Sequence, residues 1–229
     1  MHKYQSIQLK MPEEIVESVK AFQTTIPDSF LNIKGGGLED RAHVTVLYGL
    51  EDRSVADVKK IFEDFGSITV WFGKVKAFLA ADTGEPADVL YVEVVGREVD
   101  MLHLLVSAYL PSVSTNPFFK PHMTLAYLNP GEAAKMTGNI QFENKKAIVE
   151  SIEFADVNEN FKVVKLSEEM QIDSRTYARV PEGVRPLSGS IAAAFGYKIR
   201  GGKGWVPKKR LEGLLKLAKE LRAEFKDDD

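Results

Sequence analysis

The chain has 229 residues, 44% of them hydrophobic and 28% charged, with no cysteine and a formal net charge of −3. These figures fit one globular domain with or without an appendage, and exclude disorder throughout, a thiol nucleophile and a cysteine-ligated zinc. No apolar run reaches the roughly 18–20 residues of a membrane span and no signal peptide opens the chain, so a cytoplasmic protein is expected, and the mild acidity favours a small or short ligand over long nucleic acid.

Residues 4–10 (YQSIQLK) alternate polar and apolar side chains and predict a strand. Pro12 then opens a helix in which Ile15, Val16, Val19 and Phe22 recur at helical spacing. A loop with Gly35-Gly36-Gly37 leads to strand 43–50 (HVTVLYGL), a helix over 54–65 with Ser54 as N-cap, and strand 67–80. After a turn-rich break at 82–88 the cycle repeats with strand 89–95, helix 97–110, a loop over 111–117 and strand 122–128. A short helix near 131–136, one strand over 146–157 and a last strand over 161–167 complete this part. The pattern then weakens. Residues 198–229 carry 10 Lys/Arg against 6 Asp/Glu, whereas 1–197 carry 20 against 27, which predicts a boundary near 168. Beyond it we expect an irregular basic connector and an amphipathic helix over 211–225, despite Gly213.

The two cycles form an internal repeat with an offset of 79 residues. Arg41-Ala-His43-Val-Thr45 lies over Lys120-Pro-His122-Met-Thr124, and each is followed by a tyrosine, Tyr48 or Tyr127. Chance placement of 4 His and 9 Thr would give about 0.2 His-x-Thr tripeptides, against the two present. In a strand the side chains at i and i+2 share a face, so His43 with Thr45 and His122 with Thr124 project together, and Arg41 and Lys120 join them if the strand register continues. Two lobes facing across a cleft would set the imidazoles opposite one another. A phosphodiester suits such a cleft, because its cleavage needs a base at one end of an in-line path and an acid at the other. Two imidazoles with an ordinary pKa of about 6.5 can fill both roles near neutral pH. The threonine hydroxyls would donate to non-bridging oxygens. No metal-ligand cluster and no organic cofactor site is evident in the sequence.

On these paired tripeptides the chain resembles the 2H phosphoesterase superfamily, over residues 1–167. The resemblance implies an α+β, two-lobed, pseudo-twofold LigT-like fold with facing antiparallel sheets, with lobes at about 1–80 and 88–167 permuted at the edges, followed by the basic extension over 168–229. It implies metal-independent acid–base catalysis by His43 and His122, with phosphate binding by Thr45 and Thr124. Family members open RNA 2′,3′-cyclic phosphates, act on 2′-5′ linkages as RNA ligase-like enzymes, or, in the phage anti-CBASS enzymes, open cyclic oligonucleotides. From the last group the resemblance carries aromatic contacts to bases onto Tyr4 and Trp71, and an acidic residue onto Glu150 or Glu153. A metal-independent phosphodiesterase of a small, cyclic (oligo)nucleotide is therefore expected. The alternatives are an RNA-end cyclic phosphodiesterase, with RNA held by the basic tail, and a non-catalytic nucleotide-sequestering module.

Other features read as structure. His103 lies inside an apolar helix and His2 at a terminus. Tyr48 and Tyr127 stand an odd five positions from their histidines, which in a regular strand turns them away from the cleft and into packing. The two loops entering the motif strands, at 35–37 and 112–119, fit cleft gates or plain connectors. Glycines at 196–202 lack the strand, helix and lysine of a phosphate loop.

Overall fold

A computed structural model describes residues 3–62, 67–95, 97–110, 112–113, 119–166, 177–179, 198–200, 203–207, 213 and 215. Strand β1 (Gln5–Lys10) and helix α1 (Glu13–Gln23) form where the periodicity changes from two to 3.6 at Pro12. Strand β2 (His43–Leu50) follows, then helix α2 (Val55–Phe62), whose start is closed reciprocally: Asp57 N donates to Ser54 Oγ and Ser54 N donates to the Asp57 carboxylate. Next come β3 (Ile68–Phe78), the one-turn α3 (Ala80–Thr83), β4 (Asp88–Val95), α4 (Arg97–Tyr109) and β5 (His122–Leu128).

The segment 146–157 is two strands, not the one expected. β6 (Lys146–Val149) buries Ala147 and Val149, and β7 (Ser151–Ala155) buries Ile152 and Phe154, so the inward parity flips at Glu150. Each piece serves a different sheet. With β8 (Phe161–Lys165), the first sheet runs β2-β1-β7-β8 and the second β5-β4-β3-β6, both antiparallel throughout. The two lobes thus exchange chain: β3, from the first cycle, belongs to the second sheet, and β7 and β8, from the second cycle, return to the first.

The edge strands β2 and β5 lie against each other, α4 packs on β2 and β3, and α1 reaches β5. One core runs through both sheets, with Phe22, Phe62, Phe72 and Phe142 fully buried. The Gly35–Gly37 loop is pinned rather than hanging over the cleft. Tyr127 N donates to Gly37 O at 2.7 Å, Asn32 N to Tyr127 O at 3.0 Å and Glu39 N to Leu125 O at 3.0 Å, so the loop extends the second sheet past β5. Among the described residues no helix is long and apolar enough to cross a membrane.

The region read as an irregular connector contains strands: β9 (Tyr177–Arg179), β10 (Lys198–Arg200) and β11 (Lys203–Pro207) pair as β10-β11-β9, and Val206 is buried within the main core. Trp205 pairs in register with both Lys198 and Arg179, a ladder that the glycine-rich sequence hid. Of the helix expected over 211–225, Gly213 and Leu215 are described as helical; the rest, like His2 and most of the 111–118 loop, lies outside the described residues.

Candidate active site

The two histidines begin the two facing edge strands and are held alike. His43 Nδ1 lies 2.8 Å from Arg41 O, and His122 Nδ1 lies 2.7 Å from Lys120 O. A carbonyl oxygen only accepts, so each Nδ1 carries the proton and donates it, and Nε2 becomes the atom that takes or gives a proton in the cleft. Both histidines, Thr45 and Thr124 line one cavity of about 510 Å³ between the sheets.

The tyrosines correct the parity argument. In β2 the register with β1 runs Ser6↔Tyr48, Ile7↔Leu47, Gln8↔Thr45, which leaves Val46 as an extra residue; in β5 the register Leu90↔Ala126, Tyr91↔Thr124 leaves out Leu125. A bulge in each motif strand therefore reverses the parity after the threonine, and both Tyr48 and Tyr127 face the cavity. The signal was present in the sequence: Val46-Leu47 and Leu125-Ala126 are adjacent buried pairs where a regular strand alternates.

Arg41 lines the cavity. It is ion-paired to the buried Glu153, and its guanidinium carbon stands 3.3 Å from the ring centroid of Phe161. Glu153 also meets Lys10 at 3.6 Å, so it positions cations and does not itself line the cavity. Tyr4 lines the cavity and packs edge-on against Tyr48 at 5.7 Å. Lys120, Trp71 and Glu150 are not cavity-lining residues. Lys120 offers its carbonyl while its side chain is exposed ahead of Pro121; Trp71 sits at the far end of β3 paired with Val95 and Lys146, and Glu150 occupies the break between β6 and β7. Sequence reasoning missed Ser6, Gln8 and Phe161, although the polar alternation Ser6, Gln8, Lys10 already marked one face of β1. Carboxylates at Glu39, Asp40, Asp156 and Glu159 also line the cavity; burial pushes the Glu39 carboxyl up from the ordinary range.

The environments of the histidines differ. His122 meets Phe78 edge-on at 5.0 Å and Tyr91 at 5.3 Å, and Phe78 stacks on Tyr91 at 4.2 Å. Burial lowers the His122 pKa below 6.5, opposed by the hydrogen bond to Lys120 and reinforced by repulsion from His43. His103 is structural: its Nδ1 lies 2.7 Å from Val46 O and its ring stacks on Phe119. Among the described residues no three His, Asp or Glu side chains gather as a metal site.

No family model and no curated protein matches the chain. Its structure is similar to that of TT0787 of Thermus thermophilus, with a TM-score of 0.49 and 16% identity over 71% of this chain and 95% of the other. It is also similar to a phosphoesterase, with a TM-score of 0.46 and 14% identity over 73% and 97%. A third neighbour is E. coli LigT complexed with 3′-AMP, with a TM-score of 0.49 and 16% identity over 72% and 95%.

Proposed function

We propose that the protein is a 2H-type phosphodiesterase that hydrolyses a phosphodiester of a small, cyclic nucleotide, without metal or organic cofactor. One observation carries the reading: two His-x-Thr strands meet across one cavity with both imidazoles fixed through Nδ1, so that both present Nε2. Water attacks phosphorus as His122 Nε2 takes its proton; the opposite P–O ester bond breaks, and the leaving oxygen takes the proton held on His43 Nε2. The products are a phosphomonoester and a free hydroxyl, and solvent exchange restores both histidines. Burial of His122 beside Phe78 and Tyr91 supports it as the base, because the neutral imidazole is favoured there. Thr45 and Thr124 donate to the non-bridging oxygens, and Arg41 balances phosphate charge.

A second reading, hydrolysis of the 2′,3′-cyclic end of an RNA strand, uses the same site and is favoured by the basic charge of residues 198–229. The test is an assay of the purified protein in EDTA against nucleoside 2′,3′-cyclic phosphates, cyclic di- and trinucleotides, 2′-5′ oligonucleotides and cyclic-ended RNA. We expect one class to be cleaved at the same rate with and without EDTA. Nucleotide retained without cleavage would replace the enzyme with a sequestering module.

A further inference from the structure

The pseudo-twofold relation lets the two sheets be compared position by position. Gln8 pairs with Thr45 as Tyr91 pairs with Thr124, and Lys10 pairs with His43 as Glu93 pairs with His122. One strand further in, Ser6 faces Ala155 as Val89 faces Phe78, and Gln8 faces Glu153 as Tyr91 faces Lys76. The ion pair Lys10–Glu153 thus has its counterpart in Glu93–Lys76 with the charges exchanged. The residues nearest the histidines are not equivalent in size. Where the first sheet has Gln8 and Ala155, the second has Tyr91 and Phe78, two rings stacked on each other and set against His122.

The cavity follows that difference. On the second sheet it stays at the β5 edge, over His122, Thr124 and Tyr127 and over Gly35, Gly36 and Leu38 of the loop added beyond them, whereas on the first sheet it extends inward over Ser6, Gln8 and Ala155 to Phe161 on β8. Gln8 Oε1 and Arg41 Nε, both on this side, are buried polar atoms without a hydrogen-bond partner among the described residues. Inward room and unanswered polar atoms therefore both lie on the His43 side, beside Tyr48 and Phe161.

We propose that the substrate binds one-sidedly, with a single nucleoside on the first-sheet floor of Ser6, Gln8 and Ala155 between Tyr48 and Phe161, while Phe78 and Tyr91 fill the equivalent place on the second sheet and exclude a second nucleoside. The proposal rests on the phosphodiesterase reading. It selects, within that reading, phosphodiesters whose two ester oxygens belong to one nucleoside, and it rejects those that join two. On the His122 side the attacking water stands in line with the bond to be broken. Phe78 and Tyr91 are specificity-determining residues, which make room or deny it, and neither gives or takes a proton.

The test compares kcat/KM for a nucleoside 2′,3′-cyclic phosphate with that for 2′-5′ dinucleotides and cyclic dinucleotides, in the full-length chain. The native protein should favour the one-nucleoside substrate. Phe78→Ala and, independently, Tyr91→Gln, which installs the residue found at the equivalent place, should shift the ratio toward dinucleotides by about 10-fold or more. Ala155→Phe should raise KM for the one-nucleoside substrate and leave the pH profile in place. Using a ratio within each variant removes any common loss from a displaced His122. Native preference for dinucleotides, or an unchanged ratio in both folded variants, overturns the one-sided site while leaving the phosphodiesterase intact; failure to cleave any of these esters overturns the phosphodiesterase reading itself.

Discussion

The imidazole Nδ1 of each motif histidine is bonded to the carbonyl two residues before it, and this fixes which nitrogen does chemistry. The threonines then supply neutral donors, so Thr45→Val and Thr124→Val should each lower kcat/KM by about 10- to 100-fold, the value of a hydrogen bond to a charged group. Steady-state kinetics with unchanged circular dichroism checks this. The pH dependence follows from His122. Its pKa lies below 6.5 because burial beside Phe78 and Tyr91 disfavours the cation. The base is active when neutral, so kcat/KM should rise with pH through a value below 6.5, and Tyr91→Gln, which admits water, should move that limb up toward 6.5. A limb unmoved by the substitution would detach the histidine's titration from its aromatic neighbours. The histidines and threonines were legible in the sequence because period-two geometry is local. Tyr48 and Tyr127 were misassigned because one extra residue in each strand reverses parity, and a bulge depends on the partner strand.

At the scale of elements, turns hold the motif strands in place. Gly49 ends the bulged part of β2 at φ +90°, its carbonyl accepts from Val113 N at 2.8 Å, and a β-carbon there would collide with Val113 O. Gly49→Ala should therefore destabilise the protein by about 1–3 kcal/mol through strain and a displaced Val113, read as a lowered midpoint in urea. Gly36, at φ +126°, would bring a β-carbon to 2.8 Å from the Tyr127 ring, so its substitution acts on the cavity wall as well as on stability. A second anchor is Asp88, buried, whose carboxylate accepts from Ala80 N, Gly131 N and Ala133 N. Asp88→Ala should cost about 2–4 kcal/mol by leaving those amides unanswered. The first five strands and helices α1, α2 and α4 could be read from hydrophobic period, whereas the one-turn α3 fell where a strand end and a turn were expected. The break at Glu150 could not, since a continuous β-prone run conceals which sheet each half joins; only the shift from Ala147 and Val149 to Ile152 and Phe154 hints at it. The strands β9 to β11 were lost among glycines and cations for the same reason: their pairing is not written in period.

For the whole molecule, the repeat in the sequence became a pseudo-twofold fold in which each half lends strands to the other. This exchange makes the two lobes one cooperative core and places the motif strands at facing edges. The symmetry is kept in the backbone and in the charge-exchanged pairs Lys10–Glu153 and Glu93–Lys76, and broken around the reacting groups, where Gln8 and Ala155 oppose Tyr91 and Phe78. That inequality assigns the roles, because burial beside the two rings favours the neutral form of His122. The most direct test of the central claim is the pH dependence of kcat/KM for the native protein and for His43→Ala and His122→Ala, on the phosphodiester that the native protein cleaves. We predict a bell-shaped native profile and a loss of about 10² to 10⁴ in each variant, with His122→Ala losing the acid limb and His43→Ala the basic one. Full turnover in either variant would contradict the account.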